Sequence, residues 1–267
     1  MALILMIRRF IMELLKKMEG IVREAGDIIL SAKDIENVTH LKSSAADLVT
    51  AYDVKVENFL KEKLLALVPD AIFFGEEEKE NQDPSKGWAF IVDPIDGTAN
   101  FVHNMGRSAV SVALAKDGRV QYAVCLNPFR NEMYTAKRGE GAYLNGRRIH
   151  VSDTPIEKGI FSFGTAPYYP ELHERTMSLL NQLFLRSCDM RRMGSAVLDL
   201  CDVAAGKTDL FFEYRLSPWD YAAGSLLVEE AGGILTTLEG REVPVVEKSS
   251  LWATNKVNEK LLGELEV

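Results

Sequence analysis

The apolar residues of this chain change their period at Pro69-Asp70, and that change restricts what the chain can build. Before it, Ile7, Ile11, Leu14, Met18, Ile21, Ala25 and Ile28 recur in steps of four and three, which predicts one long amphipathic helix. A polar stretch over 31–44 follows as an exposed loop or ribbon. A second helix is expected to start near Asp47, with Tyr52, Val56, Phe59, Leu60, Leu64 and Leu67 as its buried stripe. After Pro69-Asp70 the runs become short and apolar: 71–74 ends in Gly75-Glu76-Glu77-Glu78, and 88–92 ends at Asp93-Pro94. Both read as buried strands whose C-terminal ends deliver acids. The polar segment 79–87 between them is expected to be mobile.

Farther on, Val110, Val112 and Leu114 alternate with small or polar residues, as do Val120, Tyr122, Val124 and Leu126. Lys116-Asp117-Gly118 joins the two runs, so an antiparallel hairpin is predicted. Strands are also expected at 132–136 and within 141–151, with Asn145-Gly146 as the turn. The second half predicts a strand at 160–163, helices at 170–184 and 194–205, and a strand at 209–213. A helix over 218–231 is bounded by Pro218 and by Gly232-Gly233. Short strands at 234–236 and 251–253 and a last helix at 256–265 complete an α+β chain. It is expected to be one catalytic unit of two halves, about 1–150 for metal and phosphate and 151–267 for substrate.

Bulk properties exclude several classes. The 267 residues are 47% hydrophobic and carry a formal net charge of −8, so a nucleic acid would be repelled on average. Cys125, Cys188 and Cys201 form no CxxC pair, and the scattered His40, His103, His150 and His173 form no zinc motif. The N-terminal apolar run precedes Arg8-Arg9, the reverse of a signal peptide's order. No run reaches the roughly 20 apolar residues that span a bilayer. A cytoplasmic protein without membrane contact is expected.

The chemistry concentrates in Asp93-Pro94-Ile95-Asp96-Gly97-Thr98. Pro94 fixes φ and removes a donor, so the chain turns and both carboxylates can face one side. The Ile95 carbonyl can join them. Hard oxygen ligands of this kind suit Mg²⁺. Gly97 and Thr98 then open a short helix, 98–103, whose free N–H groups can hold an anion. Glu76 sits at the end of a neighbouring strand, whereas Glu77 and Glu78 read as solvated charges. Asp220, in the first turn of an apolar helix, favours that end of the helix macrodipole and is also a candidate ligand. Taken as a set, these acids point to a multi-metal hydrolase.

The chain resembles the inositol monophosphatase family over nearly its whole length. The resemblance is carried by Lys42 to Thr50, Gly75-Glu76-Glu77, Asp93-Pro94-Ile95-Asp96-Gly97-Thr98-Ala99-Asn100-Phe101, Gly194-Ser195-Ala196 and Trp219-Asp220-Tyr221-Ala222-Ala223-Gly224. It implies a layered αβαβα sandwich of the sugar-phosphatase type and a homodimer. It implies that Glu76, Asp93, the Ile95 carbonyl, Asp96 and Asp220 bind two to three Mg²⁺ ions, with lithium sensitivity. By the same resemblance Glu76 and Thr98, supported by Asp53, activate water for direct attack without a phosphoenzyme. Asp96, Gly97 and Thr98 would bind phosphate, and Glu213, Ala196 and Thr165 the polyol.

The substrate implied is myo-inositol 1-phosphate or a similar polyol monophosphate. Fructose 1,6-bisphosphate, NADP and nucleotides are alternatives within the same class. The first of these needs basic pocket residues that the sequence does not place. Arg191-Arg192 reads as a solvated or dimer-edge cluster. That pair and Arg147-Arg148 are the only features that could serve a regulatory RNA- or transcription-binding role. Nucleic-acid binding is otherwise unexpected.

Overall fold

The computed structural model describes residues 2–33, 39–41 and 48–267, with side chains from 13–33 and 49–267. The elements run α1 (Ala2–Leu30), β1 (Thr39–Leu41), β2 (Leu48–Thr50), α2 (Ala51–Leu67), β3 (Ala71–Gly75), β4 (Trp88–Asp96) and α3 (Thr98–Val102). They continue through β5 (Ala109–Lys116), β6 (Arg119–Asn127), β7 (Glu132–Lys137), β8 (Gly141–Leu144) and β9 (Arg147–Ile149). The second half contributes β10 (Ile160–Phe163), α4 (His173–Phe184), β11 (Asp189–Arg191), α5 (Ala196–Ala204), β12 (Leu210–Leu216), α6 (Pro218–Glu230), β13 (Ile234–Thr236) and β14 (Ser249–Thr254).

A seven-stranded sheet has the order β3-β4-β5-β6-β7-β8-β9, parallel only between β3 and β4. A five-stranded sheet has the order β11-β10-β12-β14-β13. Period-two alternation gives the large sheet two unlike faces. Val110, Val112, Leu114, Val124 and Leu126 pack with Leu14, Met18 and Val22 of α1 and Val56, Leu60 and Leu64 of α2. The opposite face is built of small side chains, among them Ala109, Ala113, Ala115, Ala123, Cys125 and Ala136. There α5 and α6 lie close against the sheet.

The second sheet presents Phe211, Leu251 and Ala253 to the same two helices. Its other face carries Phe161, Phe163, Phe212 and Trp252 against Leu179, Leu180 and Leu183 of α4. The layers are therefore helix, sheet, helix, sheet, helix, as the resemblance implied.

Several boundaries differ from expectation. Asp47 lies outside the described residues, and α2 begins at Ala51 because Thr50 caps it: the Thr50 hydroxyl accepts from Tyr52 N and Asp53 N, and Asp53 answers on the Thr50 amide. Much of the 31–44 stretch and of the Lys42 to Thr50 motif is likewise undescribed. Segment 170–184 opens as a 3₁₀ turn, Pro170–Leu172, before α4.

The last predicted helix is two 3₁₀ turns, Lys256–Asn258 and Leu261–Glu264. Buried Asn255 holds the first tight, accepting from Asn258 N and donating to Thr154 O. Tertiary bonds to these Asn side chains thus outweigh a weak helical pattern. The 79–87 segment is anchored: Asn81 donates to Gly75 O and accepts from Gly75 N, and Gly87 N donates to Asp117.

Candidate active site

Strands β3 and β4 run parallel in the register Gly75 to Val92, so the next residues, Glu76 and Asp93, emerge side by side. The Glu76 amide extends the pairing by donating to Val92 O at 3.2 Å. The pairing of β4 with β5 is irregular between Asp93 and Asp96, where Pro94 interrupts the ladder. The Asp93 Oδ1 accepts from Ile95 N at 3.0 Å and folds the chain back on itself. Gly97 turns it into α3 with φ 82°, and a Cβ there would sit 3.0 Å from Gly194 O. Only glycine meets both demands.

The second half supplies the third acid. Asp220 lies in the first turn of α6, where its Oδ2 accepts from Ser217 N at 2.7 Å in a capping box. Capping and cluster membership thus coexist in one side chain. Asp93, Asp96 and Asp220 offer carboxylate oxygens that all lie within 4.8 Å of one another. Glu76 and Ile95 line the same cavity, of about 360 Å³.

Asp96 is also tied to α5: its Oδ2 accepts from Val197 N at 3.0 Å and from the Ser195 hydroxyl. Ser195 in turn accepts from Leu198 N as the N-cap. Ser195 is a site residue that sequence reasoning missed; a serine directly before an apolar helix is the signal that could have found it.

These acids are mutually frustrated. Burial pushes Asp93 well above the usual carboxylate range, and the charges of Glu76, Asp96 and Asp220 push it further. Asp220 is raised for the same reasons. Burial lifts Asp96 to about 6, against the lowering pull of its bonds from Ser195 and Val197. Three carboxylates on two elements, Asp93 and Asp96 buried on β4 and Asp220 half-buried on α6, each raised by its acidic neighbours, suit a hard divalent cation, which would reverse every one of these penalties.

Asp53 is fully buried, and its Oδ1 accepts from the Thr98 hydroxyl at 3.3 Å. The same hydroxyl lies 3.1 Å from Ile95 O. The expected helix at 98–103 is the five-residue α3. An anion there would be held by individual N–H groups and not by a long dipole. Glu77 and Glu78 are half-buried and not simply solvated: Glu78 pairs with Lys61 at 2.7 Å, and Glu77 N donates to Glu57.

On the far wall, Glu213 of β12 is buried, accepts from Ala166 N at 2.8 Å and is pushed up to about 7 by burial. Gly97, Thr98 and Ala196 line the cavity with it. Thr165 does not; its neighbours Gly164 and Ala166 do, while its hydroxyl accepts from Arg192 at 3.3 Å. Arg192, Arg215 and Lys248 line the outer part of the cavity. Arg192 therefore does not belong to a purely solvated cluster, whereas Arg191 pairs with Asp189. Beneath the site Arg107 bridges Asp199 at 3.0 Å and Asp202 at 2.8 Å.

The profile of the inositol monophosphatase family matches residues 11–266. The chain belongs to the inositol monophosphatase family. Inositol-1-monophosphatase of Rhizobium meliloti (strain 1021) is 39% identical over 256 residues, covering 94% of this chain and 95% of that protein. Nus factor SuhB of Escherichia coli (strain K12) is 38% identical over 222 residues, covering 82% of each. The crystal structure of extragenic suppressor protein suhB from Bartonella henselae superposes with a TM-score of 0.85 at 34% identity, covering 94% of this chain and 97% of that one. The inositol monophosphatase family is in general metal-dependent, and among the described residues the cluster of Asp93, Asp96 and Asp220 could hold a metal. Among the described residues no helix is long and apolar enough to cross a membrane.

Proposed function

We propose that this chain is a Mg²⁺-dependent phosphomonoesterase acting on a polyol monophosphate such as myo-inositol 1-phosphate. The observation that carries the reading is the convergence of Asp93, Asp96 and Asp220 at one end of a cavity that also holds Thr98 and Glu213. Because Asp220 comes from the second half and the other two from the first, the whole chain acts as one catalytic unit. Asp93, Asp96 and Asp220, with Glu76 and the Ile95 carbonyl alongside, would hold two to three Mg²⁺ ions. When bound, such ions neutralise phosphate oxygens and acidify water.

The remaining work falls to the chain itself. Thr98, oriented by buried Asp53, positions the attacking water, and Glu76 accepts its proton. Attack on phosphorus breaks the ester P–O bond opposite, and the leaving alkoxide takes a proton from a second water to depart as the polyol. Backbone groups at Gly97 and Thr98 seat the phosphate. Glu213, with Ala196 beside it, faces the polyol hydroxyls. A carboxyl near 7 both accepts and donates hydrogen bonds at neutral pH. The protein is read as a homodimer in the cytoplasm.

Among the described residues a macromolecular role has no comparable site. Arg147 and Arg148 are exposed on the edge strand β9 and line neither described cavity.

The test is phosphate release from myo-inositol 1-phosphate with Mg²⁺ or with EDTA. Asp93→Asn and Asp220→Asn should each lower kcat/KM by roughly 100-fold or more while circular dichroism stays native. Full activity in either variant would refute the ligand assignment.

A further inference from the structure

One face of α2 runs behind the acid end of the cavity. Asp53, Glu57 and Lys61 recur at every fourth residue, so they stack on that face. Each holds a different part of the site. Asp53 accepts from the Thr98 hydroxyl, Glu57 Oε2 accepts from Glu77 N at 2.9 Å, and Lys61 pairs with Glu78. The partner of Asp53 is one member of the pair assigned to water activation. The partner of Glu57 directly follows the other member, Glu76.

The backbone around Glu76 is pinned at three successive amides. Gly75 N donates to the Asn81 side chain at 3.0 Å, Glu76 N to Val92 O at 3.2 Å, and Glu77 N to Glu57. The first two tie the turn to the loop that follows and to β4. The third ties it to the helix that also orients Thr98. Glu57 is 4% exposed, and it does not line the cavity. Its carboxylate fills the space that a side chain at position 75 would need, since a Cβ on Gly75 would stand 2.8 Å from the carboxylate carbon. Burying an acid costs free energy, and an apolar side chain would serve packing alone better. What the acid adds is its bond from Glu77 N.

We propose that Glu57 is a positioning residue: it fixes the turn that aims Glu76, so that one helix sets Glu76 and Thr98 relative to each other. The inference rests on the phosphomonoesterase reading, in which Glu76 accepts the proton of the attacking water. Glu57 acts through the Glu77 backbone, away from substrate.

The experiment measures phosphate release from myo-inositol 1-phosphate, and Mg²⁺ binding by calorimetric titration, for wild type, Glu57→Ala and Glu57→Gln. A glutamine oxygen still accepts from Glu77 N, whereas alanine offers nothing. Glu57→Ala should lower kcat about tenfold or more, move KM less than about threefold and weaken Mg²⁺ about tenfold. Glu57→Gln should bring each value back to within about threefold of wild type. The double variant Glu57→Ala/Glu76→Gln should turn over no more slowly than Glu76→Gln alone, because one route of action cannot be lost twice. Equal losses in the alanine and glutamine variants, no loss in the alanine variant, or a further loss in the double variant overturns the proposal. If Glu57→Ala does not fold, Gly75→Ala takes its place, since its Cβ displaces the same carboxylate. If wild type releases no phosphate, the hydrolase reading fails by itself, and the Mg²⁺ affinities decide. A weakening in Glu57→Ala that Glu57→Gln restores upholds the positioning role, and equal affinities overturn it.

Discussion

Removing metal should make the folded protein sensitive to alkali in a way its surface does not explain. Asp96 is raised from an ordinary 3.8 to about 6 and Glu213 from 4.5 to about 7, in both cases chiefly by burial. A carboxyl raised on folding binds its proton more tightly in the native state. Its stabilising effect is complete below the ordinary value and disappears as pH rises through the raised one. Between pH 5 and pH 8, Asp96 and Glu213 together give up roughly 4 kcal/mol. Asp93 and Asp220 act with the same sign.

At about 2–4 °C per kcal/mol for a chain of this size, the thermal midpoint in EDTA should fall by about 8–16 °C over that range. Mg²⁺ binds deprotonated ligands, so it should raise the midpoint far more at pH 8 than at pH 5. Asp96→Asn should flatten part of the slope and weaken the Mg²⁺ effect, because an amide oxygen can still accept from Ser195 and Val197. The assay is differential scanning calorimetry across pH, with EDTA or excess Mg²⁺. A midpoint in EDTA that does not fall, or a Mg²⁺ shift equal at both pH values, refutes the claim that this cluster is frustrated by its own charge.

Two further perturbations follow from packing. Arg107→Met leaves Asp199 buried without its partner and Asp202 with Lys207 alone, and urea unfolding should show a loss of about 3–5 kcal/mol. Gly164→Ala places a Cβ only 1.8 Å from the Glu213 carboxylate, which must move off its bond from Ala166. KM for the polyol phosphate should rise while Mg²⁺ still stabilises the fold, and an unchanged KM would show that Glu213 does not contact substrate.

What the sequence disclosed was what is local. A buried strand, a proline and a glycine around two aspartates leave few other foldings, so Asp93 to Thr98 was legible without tertiary information. Glu76 was legible because a second apolar run ended on it, although only the parallel register placed it beside Asp93. The layered architecture followed from the change of period at Pro69-Asp70 together with the resemblance.

The misses were relations between distant parts. β11 is three residues long and forms only through its pairing with β10. The C-terminal turns owe their shape to Asn255 and Asn258, which reach back to Thr154. Arg192, Arg215 and Lys248 belong to different elements, and no spacing announces that they share a wall. The start of α2, expected near Asp47, lies at Ala51 because Thr50 caps the helix.

The alanine-rich inner face of the large sheet has a consequence for the chemistry. Asp93 is fixed to that sheet, while Asp220 rides on a helix seated against its small side chains. The gap between these carboxylates is therefore a thickness, set by methyl groups that never meet substrate. Bulkier residues in that layer would widen the gap, and with it the size of ion the acids can share. In this fold, choice among cations can be inherited from the core, far from any atom that touches the ion.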